Sequence, residues 1–159
     1  MRFILEEQMA VTAIYDKEGV SFQYPENWLL DEVSNEDSTD VTIQSPAGAV
    51  WSIAIFPNSC DPLHVAAESL KAMQAEYPDL ESEAVNETLL NLELTGFDID
   101  FICLDFIVTG ALRAFRLGDH TICVTTQAES RDFDSLAQVF RAMTFSLIQN
   151  QNSQKRQSH

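Results

Sequence analysis

The stretch Gly96-Phe-Asp-Ile-Asp-Phe-Ile-Cys-Leu-Asp-Phe-Ile-Val108 decides how this chain is read. Its first half alternates Phe97, Ile99 and Phe101 with Asp98 and Asp100. That is the period of a strand with one buried face. Its second half, from Ile102 to Val108, is apolar on both faces except at Asp105. A strand that is apolar on both faces lies inside a sheet, with something packed on each side. The segment is therefore predicted to sit mid-sheet, walled in by helices.

Two flanking segments supply those helices. Asp61 is a good N-cap, and Pro62 fits the first helical position, where its missing N–H costs nothing. Leu63, Ala66, Ala67, Leu70, Met73 and Tyr77 then fall three or four residues apart, and Pro78 stops the run. A second stripe follows Arg131-Asp132, through Phe133, Leu136, Val139, Phe140 and Met143. Asp132 and Asp134 lie near its positive end, where carboxylates are favoured.

The rest reads as strands. Residues 10–15 and 20–24 form a hairpin around Gly19, with Val20, Phe22 and Tyr24 on one face. Pro25-Glu-Asn turns the chain, and Trp28 after it plugs a sheet edge. Short strands follow at 29–33, 41–45 and 50–56. Residues 80–94 suit an exposed edge strand with a turn at Asn91. Ala111 to Leu117, Gly118-Asp119 and His120 to Ala128 complete a meander. The expected architecture is α+β: an antiparallel sheet of about six or more strands, with an amphipathic helix on each face. Residues 1–148 make one domain, and 149–159 read as a disordered polar tail.

The formal net charge is −16. From Glu18 to Leu112 there are many carboxylates and a single base, Lys71. Such a surface repels phosphate backbones and anionic headgroups, which argues against nucleic acid and membranes and favours a basic protein partner. Asp31, Glu32, Glu36, Asp37 and Asp40 crowd one loop and are the candidate partner-binding residues. The loop lacks calcium-loop spacing and its glycine, so it reads as a docking or solvated surface. Cys60, Cys103 and Cys123 are odd in number and not closely spaced, so they form no disulfide framework; Cys103 and Cys123, in apolar strand-like stretches, read as small buried thiols in a reducing compartment, and Cys60 as a loop cysteine. The start of the chain has too few apolar residues for a secretory signal, and a cytoplasmic location is expected.

There is no phosphate-binding Gly-rich loop, nucleophile elbow, His-Glu-x-x-His or Cys-x-x-Cys motif. No catalytic residue, metal ligand or cofactor is assigned on motif grounds, and the alternative to a docking domain is a small-molecule or metal-binding domain, or an enzyme, with a pocket between sheet and helix. Cys60 with His64 lacks a third group to orient the histidine. His120 and Cys123, three apart on a strand, point to opposite faces. Asp98 and Asp100 share a face and, with Arg113 from the next strand, make an alternative polar pocket between sheet and helix. Asp105 is expected on the opposite face, where burial requires Arg113 or Arg116 as a partner.

Phe22-Gln-Tyr24-Pro25-Glu-Asn-Trp28 resembles the "aromatic, x, Tyr-Pro, x, x, Trp" opening of the PsbP-like superfamily. That group spans photosystem extrinsic proteins, a Ran-binding import factor and DcrB-like bacterial proteins. Val41-Thr-Ile-Gln-Ser-Pro46 is similar to the next strand of that pattern. Phe140-Arg-Ala-Met-Thr-Phe145-Ser-Leu is similar to its closing helix, with the terminal Ser and Phe in reversed order. The resemblance implies an antiparallel sheet between helices and a non-catalytic, protein-binding or accessory role. It supplies no catalytic residues.

Overall fold

A computed structural model describes residues 11–17, 19–57 and 60–157, with side chains through Gln151. Among the described residues the elements are β1 (Thr12–Lys17), β2 (Val20–Pro25), β3 (Leu29–Ser34), β4 (Thr39–Gln44), β5 (Val50–Phe56), α1 (Pro62–Glu76), β6 (Glu81–Leu89), β7 (Leu92–Cys103), β8 (Phe106–Leu117), β9 (His120–Glu129) and α2 (Ser130–Gln157). The first two strands form a separate hairpin, and the others a seven-stranded antiparallel sheet ordered β3-β4-β5-β9-β8-β7-β6. The class is α+β, as the sequence pattern indicates.

The sheet divides two cores. On one face α1 lays Val65, Ala66 and Leu70 over Ile99, Phe101, Leu112, Ala114 and Cys123. On the other, α2 lays Val139, Phe140, Met143, Leu147 and Ile148 over Ile43, Trp51, Ile53, Phe115, Ile122 and Val124. The β1–β2 hairpin closes this second core with Tyr15, Val20 and Phe22. Trp28 fills the rim of the same core, edge-on to Phe140 at 6.1 Å. The helices thus reach opposite faces, and strand alternation sorts each side chain to one core or the other.

The α1 stripe is rotated from the spacing-based expectation. Val65 is buried where Leu63 and Ala67 were expected to be, and both of these stay exposed. The N-cap is as expected: the Asp61 carboxylate accepts from the Leu63 N–H at 3.1 Å, with Pro62 opening the helix. Asp61→Ala frees a backbone donor without touching the core. It is expected to cost about 1 kcal/mol, a fall of about 3 °C in Tm by thermal circular dichroism. A change of less than a degree would show that the cap contributes nothing.

The decisive segment is only half as expected. Gly96 to Phe101 lies within β7, second from the sheet edge, with Ile99 and Phe101 buried under α1. The second half is a hairpin tip. Leu104 and Asp105 take φ of 50° and 68° and turn β7 into β8. Ile102, Leu104, Phe106 and Ile107 stand in solvent, and Asp105 sits exposed in the turn rather than buried against an arginine. Apolar residues on both faces meant here a projecting turn, not a doubly covered strand.

From residue 149 the backbone stays helical to Gln157. Ile148 is buried, and the Asn150 amide donates to the Ser21 carbonyl at 3.3 Å, fastening this stretch to β2. Residues 158 and 159 lie outside the described residues.

Candidate functional site

The five acidic candidates belong to the β3–β4 hairpin at one sheet edge. Register decides which way each points. Leu30 and Glu32 stand opposite Ile43 and Val41, whose side chains enter the core under the β1–β2 hairpin. Glu32 accordingly meets Lys17 of β1 at 2.8 Å. That hydrogen bond holds its carboxyl below the ordinary carboxylate value. Asp31 and Asp40 point to the other face, with Leu29 and Val33. Glu36 and Asp37 cap the hairpin in a turn closed by the Asn35 side chain, which accepts from the Asp37 and Ser38 N–H groups at 2.8 and 3.0 Å. Asp40 lies between Val33 and Ala54 on neighbouring strands. Partial desolvation there lifts its carboxyl above the ordinary value.

The face carrying Asp31 and Asp40 is bare. On that side α1 packs on β7, β8 and β9, at the far half of the sheet. Leu29 and Val33 are left 75% and 58% exposed. The hairpin thus presents large apolar side chains and carboxylates together.

The alternative site is built around Arg113. Its guanidinium donates to Asp98 at 2.6 Å and to Glu87 at 3.3 Å, and to the carbonyls of Phe97 and Leu112 at 3.0 Å each. Arg141 of α2 meets the second oxygen of Glu87 at 3.3 Å. Glu87, Arg113 and Arg141 border a groove of about 180 Å³ between α2 and the sheet, walled by Leu89, Leu94, Val124, Phe133 and Phe140, and Asp98 lies outside it. The sequence brings Asp98 and Arg113 together as cross-strand partners, as expected. Asp100 is not part of the groove: it accepts from the Thr109 hydroxyl at 2.7 Å. The carboxylates and guanidiniums already satisfy one another. No buried side-chain nitrogen or oxygen among the described residues lacks a partner.

The cysteine candidates separate as strand geometry requires. Cys123 is buried beneath α1, and burial pushes its thiol above the ordinary value. His120 is half-buried on the opposite face of β9. Cys60 is tied through its backbone to Thr121, whose hydroxyl accepts from its N–H and donates to its carbonyl, both at 2.9 Å. His64 stands exposed on α1. Among the described residues no three metal-ligating side chains converge.

Register also reveals what the sequence hid. Glu81 pairs directly with Asp100, and Glu83 with Asp98, so two pairs of like charges face each other across β6 and β7. Such pairs are destabilising. Beyond them, on the same face, Ile102 and Ile107 pair at the hairpin tip. No periodicity signals this surface, because it depends on where the β7–β8 turn falls.

No family model matches this sequence, and no curated protein matches it. Solved structures do. The solution structure of cyanobacterial PsbP (CyanoP) from Synechocystis sp. PCC 6803 superposes with a TM-score of 0.66 at 14% identity, over 86% of this chain and 91% of that one. LpqN, involved in cell envelope biogenesis of Mycobacterium tuberculosis, superposes at 0.54 and 11%, over 84% and 86%. A Pseudomonas aeruginosa protein of unknown function, described as a putative regulator, superposes at 0.52 and 10%, over 86% and 95%. At these identities the agreement concerns the path of the chain, and it covers nearly all of it: this protein has the PsbP-like fold.

Proposed function

We propose that this chain is a non-catalytic accessory domain that docks a basic protein partner on the bare face of the β3–β4 hairpin. The observation that carries this reading is the exposure of Leu29 and Val33 beside Asp31 and Asp40. Interfaces set apolar anchors inside a polar rim, and Glu36 and Asp37 extend that rim at the turn. The net charge of −16 favours encounter with a basic surface. The raised Asp40 carboxyl is in keeping: its charge is held at a cost to the fold, and a cationic partner would relieve it. The reading includes a reducing, cytoplasmic setting, from the odd number and wide spacing of Cys60, Cys103 and Cys123. A small-molecule site in the groove beneath α2 is less well supported. Its volume of about 180 Å³ is small for a ligand pocket, and its charged groups are already paired.

Affinity capture from native lysate tests the proposal. The expected result is a basic protein that is retained at low salt and released at high salt. Leu29→Ser with Val33→Ser, and separately Asp31→Asn with Asp40→Asn, should each lose it while Tm stays within about 2 °C. A partner retained equally by these variants, or held regardless of salt, overturns the reading.

A further inference from the structure

We propose a second docking surface, formed by the β7–β8 hairpin tip and the acidic shelf beside it, that takes a basic amphipathic segment of a partner protein. Leu104 is 86% exposed, and Ile102, Phe106 and Ile107 are each more than half exposed. Ile102 and Ile107 lie on one face of the projecting tip, Phe106 pairs with Cys103 on the other, and Leu104 caps the turn between them, so the tip is apolar on both sides. Ile102 and Ile107 pair across the strands, on the face that also carries Asp98, Asp100, Glu81 and Glu83.

Local physics argues against this sequence at a turn. Both turn residues take positive φ, the conformation that suits Asn-Gly, yet the chain places Leu104 and Asp105 there. The like-charge pairs Glu81–Asp100 and Glu83–Asp98 add a second local penalty. Arg113 offsets one of these carboxylates, Asp98. A segment presenting lysine or arginine between large apolar side chains would offset the like-charge repulsion and cover the exposed tip at once.

Charge complementarity selects that occupant over others. A second copy would set the same carboxylates, Glu81, Glu83, Asp98, Asp100 and Asp105, against those of the first. An anionic lipid surface would meet Asp98, Asp100, Asp105, Glu81 and Glu83 around the tip. The surface lies at the opposite sheet edge from the β3–β4 hairpin, so it stands or falls apart from the proposed function.

The test uses the full chain and a labelled amphipathic Lys–Leu helix of about 18 residues. A scrambled peptide of the same composition and phosphatidylcholine vesicles serve as controls. The amphipathic peptide is expected to bind at least about tenfold more tightly than the scrambled one, and less tightly as salt rises. Leu104→Asn with Asp105→Gly should weaken binding at least about tenfold while raising Tm by about 3 °C, since the turn then has residues suited to its backbone. Glu81→Gln with Glu83→Gln should weaken it several-fold. Asp31→Asn with Asp40→Asn should leave it unchanged. Equal binding of the two peptides, binding that survives the tip substitutions, or tip-dependent binding to the vesicles overturns the proposal. Loss through Asp31 and Asp40 alone would do the same, while leaving the β3–β4 surface standing.

Discussion

Trp51→Ala is expected to remove about 4 kcal/mol of stability, enough to shift Tm down by about 10 °C or more. Trp51 lies mid-sheet on β5, fully buried, and touches every layer of the larger core. Its ring is 4.8 Å from Phe22, which stacks on Tyr15 at 5.0 Å and so anchors the β1–β2 hairpin. Its indole N–H donates to the Thr144 hydroxyl of α2 at 3.1 Å. Truncation leaves a cavity that sheet, hairpin and helix all line, and none can close it without moving against the others. Trp51→Phe should cost less, about 1–2 kcal/mol, because most of the bulk stays and the Thr144 hydroxyl still donates to the Phe140 carbonyl. Urea titration followed by circular dichroism measures both. A midpoint for Trp51→Ala close to that of Trp51→Phe would contradict this account of the core.

Gly96→Ala should be comparably damaging, at about 3 kcal/mol or more, although it adds a single methyl group. A Cβ at Gly96 would sit 1.8 Å from the Leu112 carbonyl oxygen and 2.7 Å from its carbon. Both are backbone atoms of the paired strand, so the clash cannot be absorbed by turning a side chain. The same Leu112 oxygen accepts from the Arg113 guanidinium, as does the Phe97 carbonyl. A methyl group there would therefore also lift Arg113 from its seat and loosen its hold on Glu87 and Asp98. By contrast, a Cβ at Gly48 would meet nothing within 4 Å, and its positive φ is the only obstacle. Gly48→Ala is the control, expected to cost about 1 kcal/mol. Equal losses at the two glycines would mean that the close strand approach at Gly96 carries no weight.

The parts of this fold legible in the sequence are those where local chemistry and tertiary packing agree. Gly19 with its alternating flanks gave the first hairpin, and Asp61-Pro62 gave the start of α1. The stripe from Phe133 to Met143 gave the buried face of α2. Reading failed where the two disagree. Leu104-Asp105 turns the chain with no glycine, asparagine or proline to announce it, so an apolar tip resembled an inner strand. The contact of Asn150 with Ser21 of β2 likewise depends on tertiary packing, which composition does not show. The same holds for the sites. Asp98 could be matched with Arg113 from neighbouring strands, but which carboxylates share a face with Leu29, or oppose each other across β6 and β7, follows from register alone.

The strand at the middle of the large sheet, β9, is the last to be synthesised. Its partner β5 pairs Ile53 with Val124, some seventy residues later in the chain. While a ribosome is still making that stretch, β5 has a free edge, and Trp51, Ile53 and Ile55 have no helix above them. A nascent chain in that state is exposed to intermolecular strand pairing. Most of the negative charge has already been synthesised by then, so mutual repulsion between growing chains opposes pairing at the unfinished edge until β9 arrives.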